Sequence, residues 1–128
     1  MSIELSYLVW TVLLALGQML VAGIGANLQA GLAATGGNRE RALELTGWAG
    51  RARRAHANML ENLPLFAALV LTAQLAGRSN AMTAMGAAIF FWARVAHGAI
   101  YVAGLGPLRS LAFLVSVIGL VMILLQLV

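Results

Sequence analysis

Eight polar residues with the chemistry of a binding or catalytic site lie within apolar stretches of the 128-residue sequence. They are Arg54, Asn58, Glu61, Arg94, His97, Tyr101, Arg109 and Ser110. The first three follow an i, i+4, i+7 spacing and the next three an i, i+3, i+7 spacing, so each set lies along one face of a helix. An ionisable group within a membrane span costs up to about 2.5–3.5 kcal/mol on insertion scales, so its presence indicates a functional site.

The set combines guanidiniums, one carboxylate, an amide, a phenol and a hydroxyl, which suits a small anionic ligand that also carries an ammonium. Arginines would bind the ligand's carboxylates and Glu61 its amine, while a further arginine stabilises a developing anion such as a thiolate. No metal site is predicted, because the two histidines have neither Cys nor Asp beside them.

Structural interpretations of the same residues remain open. Glu61 and Arg94 could neutralise each other as a buried ion pair, and His97 could be a hydrogen-bonded interior histidine. Arg54 and Arg109 could instead extend to lipid phosphates at the membrane surface.

The composition excludes a soluble domain. Hydrophobic residues make up 62% of the chain and charged residues 9%, whereas soluble proteins carry about a quarter charged residues. The net charge of +4 comes from arginines scattered among apolar runs, without the extended basic face and interleaved aromatics of a nucleic-acid-binding protein. A membrane span takes about 20 apolar residues, and the chain has room for four.

Four apolar runs predict a single all-α, four-span membrane domain over residues 1–128, with helices at about 4–32, 50–77, 80–104 and 107–128. The polar loop of about 33–49 and the start of the next helix hold five of the eight arginines, so the positive-inside rule places this loop in the cytoplasm. Both termini then lie outside. The two helical sets, and Arg109 with Ser110 as a third polar set at the start of the last helix, all lie on the cytoplasmic side. The absence of Lys and the richness in Ala and Arg favour a bacterial inner membrane.

Two segments resemble the MAPEG family, the membrane-associated proteins in eicosanoid and glutathione metabolism. The run from Arg53 to Phe66 is similar to the family's helix 2 signature. The run from Arg94 to His97, with Tyr101 and the segment from Pro107 to Ser110, resembles the helix 3–4 region, especially that of the microsomal prostaglandin E synthase branch.

The resemblance implies a four-helix membrane bundle that forms a homotrimer and binds glutathione between subunits near the cytoplasmic face. By motif match, the glutathione site would be lined by Arg54, Asn58, Glu61, Arg94, His97, Tyr101, Arg109 and Ser110. Arg109, with Ser110, occupies the place of the group that activates the thiol. The second substrate would be an apolar electrophile or a lipid peroxide that arrives through the membrane.

We therefore expect a membrane-embedded glutathione-dependent transferase or peroxidase. One alternative is a catalytically silent scaffold or binding protein of the same fold, because the segment Gly25–Gly31 lacks the arginine that helps hold glutathione in the characterised eukaryotic enzymes. A remote alternative is a small multidrug transporter. Such transporters carry their essential glutamate in helix 1, where this chain has no acid after Glu4.

Overall fold

The computed structural model describes residues 1–128 and is built from helices alone. Four are long and one is short, and in chain order they are α1 (Ile3–Ala30), α2 (Leu32–Gly36), α3 (Gly47–Leu75), α4 (Ala81–Ala103) and α5 (Gly106–Leu124). Three of them, α1, α4 and α5, are long and apolar enough to cross a membrane. The chain is therefore a membrane protein. Helix α3 is as long, but arginines and Glu61 occupy its first half.

The prediction of four helices was wrong by one, because it missed α2. Gly31 has a φ of 85°, which ends α1 at Ala30 rather than at about residue 32. The chain then forms one short helical segment, in which the Thr35 hydroxyl bonds to the carbonyl oxygen of Gly31 and to the side chain of Asn27. A five-residue helix is too short to show a hydrophobic period, so the sequence did not reveal it.

Helices α3 and α4 pack together at the centre, with α1 and α5 each packed against both of them. Helices α1 and α5 do not touch each other. In the core, the rings of Phe66 and Phe90 are stacked, with centroids 4.1 Å apart. The closest approach is between α4 and α5, where a Cβ added at Gly119 would lie 2.6 Å from the carbonyl oxygen of Gly86.

Polar contacts tie the helices together at both ends of the molecule. At the Arg-rich end, where α1 and α4 finish and α3 and α5 begin, Arg51 Nε donates to the carbonyl oxygen of Val102 at 2.9 Å. At the Glu4 end, where α1 and α4 begin, Thr83 Oγ1 donates to Glu4 Oε1 at 2.5 Å. Neighbouring long helices along the chain therefore run antiparallel, which brings the three predicted polar sets to one end.

Candidate functional site

Asn58 links α3 to α4 at the centre of the site. Its Oδ1 accepts a hydrogen bond from Arg94 Nη2 at 2.7 Å, and its main-chain oxygen accepts one from Asn62 Nδ2 at 2.8 Å. Asn62, one turn further along α3, thus buttresses the residue that holds the guanidinium. Both asparagines belong to α3, so the rotation of α3 about its own axis determines whether Asn58 faces Arg94.

Arg94 is fully buried and poorly satisfied. Apart from the bond to Asn58, its Nε and Nη1 atoms are buried and have no hydrogen-bond partner. The ion pair with Glu61 that the sequence left open is not formed, because Asn58 occupies the position facing Arg94 and Glu61 lies exposed on α3. A buried cation without a counter-charge is costly, so an anion bound close by would stabilise this end of the molecule.

The ring of Tyr101 lies among positively charged and aromatic groups. The guanidinium carbon of Arg109 is 4.5 Å from the ring centroid, and that of Arg54 is 6.0 Å away. His97 meets the ring edge-on, with centroids 5.5 Å apart. Cation–π contacts of this kind contribute about 0.5–1 kcal/mol at exposed sites, enough to orient the Arg109 side chain.

Two adjoining pockets open at the Arg-rich end and share Arg109. Together they are called the polar pocket. The larger, of about 320 Å³, lies between α3, α4 and α5 and is lined by Asn58, His97, Arg109, Ser110, Phe113 and Leu114. The smaller, of about 160 Å³, is lined by Arg51, Arg54, Tyr101, Gly104, Gly106 and Arg109. His97 is buried, and its Nδ1 has no hydrogen-bond partner. The polar pocket therefore combines positive charge with unused hydrogen-bonding capacity.

Six of the eight predicted site residues line the polar pocket. Arg94 does not line it but is buried behind it and bonds the lining residue Asn58, and Glu61 lies exposed outside it. Arg51 and Phe113 also line the pocket and were not among the predicted site residues. Arg51 precedes Arg54 by three residues and Phe113 follows Arg109 by four, so extending each polar face by one helical turn would have found both.

The fold and the site define an all-helical membrane protein whose polar side chains gather in one pocket at the Arg-rich end. The model of the MAPEG family matches residues 7–128, so the chain belongs to the MAPEG family. This family includes glutathione transferases and peroxidases, and its members commonly use glutathione. Neither the curated proteins nor the solved structures gave a match to the chain.

Proposed function

We propose that this protein is a membrane-embedded glutathione-dependent transferase or peroxidase that acts on apolar electrophiles, including lipid peroxides. The observation that carries the proposal is that Arg54 and Arg109 line one pocket while Arg94 lies buried behind it, bonded to Asn58 and without a carboxylate to neutralise it. Family membership supports the same reading, since the family includes enzymes of both classes.

The donor set of the polar pocket fits glutathione, which carries two carboxylates, one ammonium and one thiol. The guanidinium of Arg54 provides donors for the carboxylates, and Arg94, buried behind Asn58, adds positive charge close to the pocket. Charge-assisted bonds of this kind are about twice as strong as neutral ones. Arg51 adds a third guanidinium beside Arg54, although its Nε already donates to Val102.

The remaining residues would orient the ligand. Asn58 and His97 offer uncharged hydrogen-bonding groups on the wall opposite Arg109 and Ser110. The Tyr101 ring would hold Arg54 and Arg109 in place through its face. Glu61, on the same helix as Asn58, lies exposed outside the polar pocket and would bind the ammonium of a ligand that extends beyond the pocket.

Arg109 is the residue we assign to thiol activation. The thiol of bound glutathione supplies a sulfur nucleophile, and a positive charge within about 4–6 Å lowers a thiol pKa by about 1–3 units. Arg109 remains protonated at any working pH, so this effect does not titrate away near neutrality. Ser110, the adjacent residue in the same pocket, would donate a hydrogen bond to the sulfur.

The proposal includes the assembly and its placement. Arg109 and Ser110 are exposed on α5, so a neighbouring subunit of a homotrimer of four-helix bundles would close the polar pocket. The Arg-rich end would face the cytoplasm of a bacterial inner-membrane protein, with both termini outside.

The test is a titration of glutathione into the purified protein in detergent, with heat of binding and ultraviolet thiolate absorbance followed together. The unmodified protein should bind and show the thiolate band. Arg109→Ala should lose the band, whereas the matched control Arg78→Ala, an exposed arginine at the Glu4 end, should keep it. A full thiolate band in Arg109→Ala would remove Arg109 from this role and make Ser110→Ala the next variant.

One observation favours the scaffold alternative. The polar residues near the end of α1 are already used within the chain: the Gln29 side chain bonds both the nitrogen and the oxygen of Thr46, and Asn27 bonds Thr35. Helix α1 therefore adds no charged donor to the site, and the carboxamide of Gln29 is already engaged. Absence of binding at millimolar glutathione would favour a silent binding or scaffold protein over an enzyme.

A further inference from the structure

A second and larger pocket, the α1–α4 groove, shares no residue with the polar pocket. It has a volume of about 810 Å³ and lies between α1 and α4, with Ala52 and Ala55 of α3 at its floor. Its walls include Trp10 and Leu14 on one side and Phe91 and Val95 on the other. No charged side chain lines it, so a charged occupant would lose its hydration without compensation.

Gln18 is the polar exception in the α1–α4 groove. It lies near the middle of α1, and its Oε1 is buried and has no hydrogen-bond partner. A Cβ at residue 98 would lie 2.6 Å from Gln18 Nε2, so Gly98 leaves the space that the carboxamide occupies. An unsatisfied amide in an apolar medium is costly, and acyl chains of lipids have no donor to offer it.

We propose that the α1–α4 groove binds an uncharged, elongated apolar molecule that carries one hydroxyl, with the hydroxyl hydrogen-bonded to the carboxamide of Gln18. A hydroxyl both donates and accepts, so it can pair with either end of a carboxamide. From Phe91 to Ala103 the α4 wall is about 18 Å long at 1.5 Å per residue, the length of an extended alkyl chain. The site is separate from glutathione binding and does not depend on it.

A second copy of the chain is a poorer occupant, because Ser116, Asn62 and Thr11, polar groups within apolar parts of α5, α3 and α1, already bond within their own helices. Ser116 Oγ donates to Phe113 O at 2.6 Å, and Asn62 Nδ2 donates to Asn58 O at 2.8 Å. Thr11 likewise bonds the carbonyl oxygen of Tyr7 in its own helix. None of these groups is free to satisfy Gln18 across an interface, whereas a hydroxylated ligand brings its own donor.

The experiment uses the protein in phospholipid nanodiscs without glutathione. Trp10 lines the groove and reports occupancy once the other two tryptophans are replaced, by Trp48→Phe and Trp92→Phe. Bromine quenches tryptophan, so 12-bromododecan-1-ol and 1-bromododecane form a probe pair that differs in one hydroxyl. Each is titrated into the nanodiscs, and unlabelled 1-dodecanol serves as competitor.

We expect saturable quenching by the bromo-alcohol, with about fivefold tighter binding than the bromoalkane, as one neutral hydrogen bond of about 1 kcal/mol gives. Gln18→Leu should abolish the difference between the two probes. Leu20→Ile, on the same helix outside the groove, should preserve it. The comparison in the protein with Gln18 intact needs no groove variant, so it stands even if Gln18→Leu fails to fold.

Three results would overturn the proposal. Quenching that rises without saturation, or equally for both probes, would make the groove an ordinary lipid-facing surface. A preference for the alcohol that survives Gln18→Leu would remove Gln18 from recognition. The chain has no cysteine, so Leu14→Cys gives a single thiol in the groove; efficient cross-linking between copies that 1-dodecanol does not block would show that a second copy fills the groove.

Discussion

The two ends of the molecule differ in how fully their buried charged groups are hydrogen-bonded. At the Glu4 end, the carboxylate of Glu4 accepts a hydrogen bond from Thr83, and Asn80 bonds Thr83 and Gln126 in turn. At the Arg-rich end, Arg94 leaves two nitrogen atoms without partners. A network whose members satisfy one another rigidifies a structure, whereas unsatisfied groups around a pocket have capacity left for a ligand.

Helix packing follows the same division. Near the Glu4 end, α4 and α5 approach until the main chains of Gly86 and Gly119 are in contact. Towards the Arg-rich end the two helices leave space between them, and His97 and Arg109 face the pocket that results. We call the tightly packed Glu4 end the closed half and the pocket-containing Arg-rich end the open half. A substitution in the closed half should lower stability, whereas one in the open half should weaken ligand binding.

The largest effect is expected at the closed half. Gly119→Ala would place a Cβ 2.6 Å from Gly86 O and 2.8 Å from Phe90 N, so the helices must separate. We expect the free energy of unfolding to fall by about 3 kcal/mol, as for overpacking of a rigid core. The measurement is unfolding in mixed detergent micelles. Gly23→Ala, where an added Cβ meets nothing within 4 Å, is the matched control. An equal loss of unfolding free energy in both variants would contradict close packing of α4 against α5 at Gly119.

Arg94→Met should separate function from stability at the open half. Removing the positive charge behind Asn58, at about 2 kcal/mol, should weaken glutathione binding about 30-fold by calorimetry. The free energy of unfolding should not fall, because the buried guanidinium has one hydrogen bond and no counter-ion. Arg78→Met serves as the exposed control. A large loss of stability with unchanged glutathione affinity would make Arg94 a structural residue.

Thr83→Val should produce the reverse pattern at the Glu4 end. Without the hydroxyl, the buried carboxylate of Glu4 loses its donor, and we expect the free energy of unfolding to fall by about 1.5 kcal/mol. Glutathione affinity should remain unchanged. In the control Thr72→Val, the exposed hydroxyl bonds only the carbonyl of Ala68, so its loss should have little effect on unfolding. Weakened glutathione binding in Thr83→Val would show that the two ends are coupled.

The smallest effect concerns the residues that precede two helices, Asn80 before α4 and Thr46 before α3. The Asn80 side chain accepts bonds from Met82 N and Thr83 N and caps α4, so Asn80→Ala should lower the free energy of unfolding by about 1 kcal/mol. Thr46 precedes α3 at the Arg-rich end and makes no side-chain capping bond, so Thr46→Ala should have almost no effect on the same unfolding curve. Equal losses of unfolding free energy in Asn80→Ala and Thr46→Ala would contradict this difference in capping between α4 and α3.

The four long helices could be predicted because each contains an apolar run, and polar residues at helical spacing identified which faces meet. The sequence could not fix how α3 is rotated against α4, so it left open a pair between Glu61 and Arg94 where the structure has Asn58 and Arg94. Arg51 lies on the same helical face as Arg54, but its bond to the main-chain carbonyl of Val102, which holds it beside the pocket, could not be read from the sequence.

The same limit applies to Gln18 and the α1–α4 groove. In the sequence, Gln18 is one of the few polar residues in a long apolar run, which indicates nothing about its surroundings. Its significance depends on Gly98, distant in the chain, whose missing side chain leaves space for the carboxamide. A relation between two residues on different helices becomes visible only when their packing is known.

The pairing of Gln29 with Thr46 makes the segment between them a closed loop. The carboxamide bonds both the main-chain oxygen and the main-chain nitrogen of Thr46, at 2.7 and 2.9 Å, as a neighbouring strand would. The ends of the loop are therefore fixed independently of the residues between them. A protease site or a small fluorescent domain can be inserted near Gly37 and Asn38 while α1 and α3 stay joined, which makes this loop the natural position for a reporter in the intact protein.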